Sequence, residues 1–210
     1  MTDQPTKGPA YRIHTSRLIV RCWQPSDAPL LKTALDASVE HLLPWMPWAA
    51  DEPQSLEQKV GLLRHFRGQF DLDGDYVYAI LNRDESEVLG GTGLHTRAGE
   101  QVLEIGYWIH VAYINRGLAT ETSAALTKVA FEVNGVDRVE IHPDPKNVRS
   151  AAVPRKLGYV HEATLRQRTR NADGSPSDSM IWTLLRDEYP DSPAARAQIE
   201  AFDAVGNKLL

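Results

Sequence analysis

A chain of 210 residues with 42% hydrophobic content has apolar mass for one domain with a real core, and its formal net charge of −5 argues against a duplex nucleic acid as partner, since such binders carry a basic stripe matched to phosphates. One cysteine, Cys22, excludes an internal disulfide and suits a reducing cytosol. MTDQPTKGPA lacks the apolar core of a signal peptide, and no run approaches the roughly 18 apolar residues of a membrane span, so a cytoplasmic protein without a membrane partner is expected.

After a polar leader over residues 1–11, SRLIVRCWQ has the content of a strand, and SDAPLLKTALDASVEHLL reads as a helix started by Ser26 or Asp27 with Pro29 in its first turn. LPWMPWAADEP is a Pro-interrupted loop carrying Trp45 and Trp48. SLEQKVGLLRHFRGQF has helical spacing at Val60, Leu63, Phe66 and Phe70. YVYAILNR, EVLGGTGLHTR and QVLEIGYWIH follow as an antiparallel meander. Then come a helix over about 117–133, a strand DRVEIHP, a short helix over about 147–157, and the strands YVHEATLRQ and DSMIWTLLR. The order is βααβββαβαββ, an α/β or α+β sheet domain over 12–188, and AARAQIEAFDAV predicts a C-terminal helix in an appendage over 189–210.

Several motifs fail. DLDGD lacks the glycine and glutamate a calcium loop needs, with Tyr76 and Asn82 in those places. GGTGL, Gly90 to Leu94, has neither the spacing nor the helix of a dinucleotide fingerprint, and no P-loop is present. The seven histidines include no pair at i, i+4, and with one cysteine no metal site is expected. Cys22 reads as a buried inert thiol.

YINRGLATETSAA, from Tyr113, opens a helix directly after a strand. A helix start leaves its first N–H groups unpaired and partly positive, so phosphates settle there when side chains leave access. Gly117, Ala119 and Thr120 keep it open, and Arg116 adds charge. Spacing alone does not separate a pyrophosphate cradle from an ordinary helix start.

IGYWIHVAYINRGLATE resembles the acyl-CoA-binding segment of the GNAT superfamily of N-acetyltransferases, in which a loop [QR]-x-x-G-x-[GA] follows the fourth strand; Gly117 and Ala119 fit its second half, and Ile114 stands where the pattern has Gln or Arg. HPDPKNVRSAAVPRKLGY is similar to the fifth strand and following helix of that superfamily. Its N-x-x-S and K-L-G-Y elements, with SRLIVRCW and LLPWMPW, resemble the RimJ/RimL type. The resemblance covers about residues 12–188 and implies the GNAT fold, a mixed central sheet flanked by helices. It implies acetyl-CoA as co-substrate, with the pyrophosphate on the backbone of Asn115, Arg116, Gly117, Leu118, Ala119 and Thr120 and the pantetheine between LEIGYWI and RVEIHP. The thioester would then lie beside Trp108, Ile109 and His110, where a bulge in the family frees a strand N–H for the oxyanion.

Glu104 or His110, sharing parity with Gly106 and Trp108, is the expected base. Ser150, with Asn147 beside it, is the expected partner of the CoA sulfur. Many GNAT enzymes use a Tyr seven residues after the helix-opening Asn, and here that place holds Pro154. Asn147 also reads as a plain helix cap. Trp45 and Trp48 either wall the acceptor pocket or anchor packing. The function expected is acetyl transfer to a primary amine, a protein N-terminal α-amine first and small amines next, by a monomer or homodimer. A non-catalytic acyl-CoA sensor, or an enzyme for a longer acyl chain, is the alternative.

Overall fold

The structure, a computed structural model, describes residues 9–210. Its strands are β1 (Arg12–His14), β2 (Ile19–Cys22), β3 (Tyr76–Leu81), β4 (Val88–His95), β5 (Val102–Ile109), β6 (Arg138–Ile141), β7 (Val160–Arg170), β8 (Pro176–Leu185) and β9 (Glu200–Phe202). The helices are α1 (Ala28–Asp36), α2 (Val39–Leu42), α3 (Leu56–Asp71), α4 (Leu118–Val129) and α5 (Val148–Lys156). All the strands join one sheet in the order β7-β8-β6-β5-β4-β3-β2-β1-β9. Among the described residues only β5 with β6 pairs in parallel.

That parallel pairing is short. β6 matches β5 over Val102–Glu104 against Arg138–Glu140 and then leaves it, so the backbone groups of Gly106 to Ile109 that point toward β6 have no ladder partner among the described residues. The bulge expected in β5 is absent: its register with β4 is unbroken from His95↔Glu104 to Gly90↔Ile109. Divergence of β6, rather than an extra residue in β5, frees those groups.

Alternation along β5 assigns its two faces. Leu103 and Ile105 join the apolar cluster of Leu126, Val129 and Val139 beneath α4, while Trp108 packs on the opposite cluster, with Leu31 and Leu35 of α1 and Leu63 of α3. The first predicted helix is real but breaks at Ala37 into α1 and α2. α3 starts with the reciprocal capping bonds of Ser55 and Gln58.

Both ends differ from expectation. Ala10 is buried and the Tyr11 hydroxyl donates to Asp71 at 2.8 Å, so the chain packs into the domain before residue 12. Residues 1–8 of the expected leader lie outside the described residues. The C-terminal helix does not form. Residues 189–196 make two short 3₁₀ turns, and Glu200–Phe202 becomes β9, paired with β1 through Ala201↔Ile13. Ala201 and Ile13 are both fully buried, and that edge pairing outweighs the helical propensity of the segment.

Candidate active site

A cavity of about 780 Å³ lies between the C-terminal half of β5, the α2 segment and the N-termini of α4 and α5. At one end is the loop before α4. Asn115 and Gly117 both take left-handed backbone, φ 61° and 79°. A Cβ at Gly117 would meet nothing closer than 3.8 Å, so conformation rather than space requires the glycine. No side chain caps α4, and its first backbone bond runs from Glu121 N–H to the Gly117 carbonyl at 3.0 Å. The N–H groups of Leu118, Ala119 and Thr120 therefore precede the ladder and remain for an anion.

Glu121 sits in that first turn, yet its charge is taken up by Arg17, at 2.5 and 2.7 Å, and by the Thr15 hydroxyl. Arg17 also donates to the Arg116 carbonyl at 3.1 Å, bracing the loop. The Arg116 side chain stacks on Tyr113 at 4.9 Å and is not among the cavity's lining residues. Lys146, Arg149 and Lys156 line the cavity from the α5 side. Left-handed loop, uncapped helix and three cations suit a polyanion such as the diphosphate of CoA.

Asn147 caps α5, its Oδ1 accepting from Ser150 N–H at 3.1 Å. The capping bond uses the backbone of Ser150, which leaves its hydroxyl for other work. That hydroxyl lies 2.9 Å from the phenol of Tyr107, on β5. Burial pushes the Tyr107 phenol up to about 12, with the Ser150 contact pulling slightly the other way. Ser150 and Tyr107 both line the cavity, a pairing the sequence did not disclose because the residues are 43 apart. Tyr159 is core: buried, with its hydroxyl 2.7 Å from Thr127.

The other face of β5 carries charge. Glu104, His95 and Glu140 are register partners across β5, β4 and β6, and Asp75 precedes β3 at the same level. Arg97 grips Glu104 bidentately at 2.6 and 2.8 Å, and His142 stands 3.6 Å from Glu104 and 2.7 Å from Glu140. Burial pushes the Glu104 carboxyl up, but the Arg97 hydrogen bonds and charge, with both histidines, hold it below the ordinary range.

Toward the cavity Trp108 lies flat on β4, where a Cβ at Gly91 would fall 2.5 Å from its indole nitrogen. Trp48 meets Trp108 edge-on at 6.4 Å without lining the cavity; Trp45 and His41 do line it. The Trp loop is pinned beneath by Lys59, a fully buried lysine bonded to Glu52 and to Gln54.

The structure thus gathers Trp108, Ile109, Asn115, Gly117, Leu118, Ala119, Thr120, Asn147, Ser150 and Trp45 around one cavity. Glu104 and His110 lie outside its lining. The His110 Nδ1 accepts the Ala112 N–H at 3.0 Å, which makes the ring a cap for the turn that follows. Reasoning from sequence missed Tyr107 and the three cations. The latter had a signal, for residues 146–170 hold seven Lys and Arg against one Glu in a chain of formal charge −5.

A family model described as "Acetyltransferase (GNAT) domain" matches residues 17–160. The Bacillus subtilis protein YdaF, provisionally named a ribosomal N-acetyltransferase, is 28% identical over 176 residues, 82% of this chain and 93% of its own. Among solved structures, Mycobacterium smegmatis RimJ in complex with a CoA disulfide superposes with a TM-score of 0.74 at 24% identity, covering 85% of this chain and 87% of that one. The ribosomal-protein-S5-alanine acetyltransferase of Vibrio fischeri gives 0.74 at 19%, covering 85% and 98%. At those identities the superpositions speak for the fold. The family match decides the rest: the chain belongs to the GNAT acetyltransferase family and is an enzyme that transfers acetyl from acetyl-CoA to an amine.

Proposed function

We propose that the acceptor is the α-amine of a protein N-terminus, and that acetyl-CoA and acceptor meet across β5 from opposite faces. The observation that carries this reading is the carboxylate row of Asp75, Glu104 and Glu140 behind Trp108, on the face away from Ser150. It favours a cationic acceptor entering over the tryptophans. The provisional name of YdaF supports a ribosomal or other cytosolic protein as substrate, which would place the enzyme in the cytoplasm.

Acetyl-CoA supplies the activated acyl group, and the chain supplies position and charge. The loop before α4 and its N–H groups would hold the diphosphate, and Asn147 and Tyr107 the far end of the cavity. The unpaired backbone groups of β5 offer a donor to the developing oxyanion, an interaction commonly worth about 2.7–4 kcal/mol. Ser150, backed by the Tyr107 phenol, is placed to hydrogen-bond the departing sulfur. A silent sensor has no need of this pair, and that reading is not favoured. Glu104 draws an ammonium in, but its fork with Arg97 and lowered pKa make it a weak proton acceptor. The capping bond of His110 commits the nitrogen that a base would need.

An α-amine has a reference pKa near 8 against about 10.4 for lysine, so it demands only modest help. The test is thiol release from acetyl-CoA with peptides carrying a free or a formylated N-terminus, beside polyamines and an N-blocked lysine peptide. Turnover confined to free α-amines is expected. Turnover of polyamines or lysine alone would contradict the assignment.

A further inference from the structure

The glycines of GGTGL, which fail as a nucleotide motif, have a use on the acceptor face. A Cβ at Gly93 would fall 2.6 and 2.7 Å from Cε1 and Nε2 of His95, and one at Gly106 would fall 3.0 Å from Nε2. Real side chains essentially never approach as closely as at Gly93 and rarely as closely as at Gly106, so these two glycines, cross-strand partners, form a seat for the imidazole. Its Nδ1 faces both oxygens of Asp75, at 2.9 and 3.0 Å. An Nδ1–H held by a carboxylate leaves a lone pair on Nε2. Among the described residues no group hydrogen-bonds that nitrogen, which points over Gly106, the residue before Tyr107 and Trp108 of the cavity.

We propose that His95 is the proton acceptor for the incoming amine, oriented by Asp75 and standing over Gly106, just past the point where β6 leaves β5. The inference rests on the acceptor reading above. The ammonium gives one proton to Nε2, and the imidazolium so formed is balanced by Asp75. The freed nitrogen bonds to the acetyl carbon as the carbon–sulfur bond breaks. The second amine proton ends on the CoA thiol, the first on solvent when His95 is regenerated. His142 is the other imidazole nearby, but both its nitrogens face carboxylates, Glu140 at 2.7 Å and Glu104 at 3.6 Å. The charged and titratable groups around His95 are Asp75, Glu104 with Arg97, Glu140 with Arg138, and His142.

Two measurements test the assignment. Nitrogen NMR of the unliganded protein should show His95 with its proton on Nδ1; a proton on Nε2 in neutral His95 would overturn the proposal without any appeal to activity. His95→Asn keeps a group that can bond Asp75 but has nothing at the Nε2 position. It should lose about 10²-fold or more in kcat/KM for a peptide acceptor near neutral pH, with acetyl-CoA KM little changed. The loss should shrink as pH rises toward the acceptor's own pKa, because solvent then deprotonates the amine. Gly93→Ala, which displaces the ring and leaves its chemistry intact, should fall between. A wild-type rate in folded His95→Asn, or an equal loss at every pH, would remove His95 from the role. Failure of wild-type enzyme on every peptide would instead sink the acceptor reading.

Discussion

On β5 the side chains of Leu103, Ile105 and Tyr107 turn toward α4 and α5, while those of Glu104 and Trp108, with the bare Gly106 between them, turn toward α1 and α3. The first face is apolar until Tyr107, whose half-buried phenol meets the hydroxyl and the carbonyl of Ser150. The second is crossed by carboxylates, two arginines and two imidazoles, with two glycines left bare. A departing thiolate needs one well-placed donor in a dry setting, whereas a cationic acceptor needs negative charge and something to take its proton. One strand, by alternation alone, separates these demands by the thickness of a sheet.

If the faces are separable, changes on the first should leave acceptor binding alone. The largest effect is expected at the cradle. Ala119→Glu puts bulk and negative charge at the α4 N-terminus, and should abolish the rise in melting temperature that CoA produces, about 2.7 kcal/mol of stabilisation at a hundredfold excess over Kd. Unchanged stabilisation in the folded variant would move the phosphate site elsewhere.

Next is Ser150→Ala. Its capping bond runs through the backbone N–H and survives the change, so kcat and kcat/KM should fall together by roughly 10²-fold with CoA affinity little altered. A wild-type kcat where chemistry limits turnover would reduce Ser150 to a helix-turn residue. Tyr107→Phe keeps the ring and removes only the contact with Ser150. About tenfold loss in kcat is expected, shrinking in the Ser150→Ala background, where the phenol has only its bond to the Ser150 carbonyl, at 3.2 Å, left to lose. Full additivity would separate them.

How much of this was readable follows the physics of each feature. β5 and α4 were legible because alternation and the small-residue helix start are local, and Asn147 announced its cap for the same reason. β1 was not, being only three residues, between the polar leader and the strand-like SRLIVRCWQ. The C-terminal helix was misread because Ala201 is committed by a strand almost two hundred residues earlier. His95 went unnoticed for a similar cause: its seat is built from Gly93 on its own strand and Gly106 on the next, and glycine leaves no mark on hydrophobic periodicity. Glu104 was found by parity, but the Arg97 fork that decides its character arrives from the turn after β4.

The smallest expected effect belongs to Glu104. Its folded pKa is depressed, so it contributes stability that is complete above the ordinary carboxylate value, near 4.3, and is lost as pH falls through the folded value. Glu104→Gln should flatten the acid limb of a stability–pH curve in that window and raise acceptor KM a few-fold, without touching acetyl-CoA KM. An unchanged acid limb would mean that Arg97 favours the ionised form no more than solvent does.

The separation of the two substrates by β5 is tested most directly by a crystal structure of the dead-end complex with CoA and a peptide bearing a free N-terminus. The CoA sulfur is expected within hydrogen-bond reach of Ser150 Oγ, with the peptide nitrogen beside Trp108 on the face of His95 and Glu104. A peptide nitrogen on the Tyr107 face, or a CoA diphosphate away from Gly117–Thr120, would contradict it.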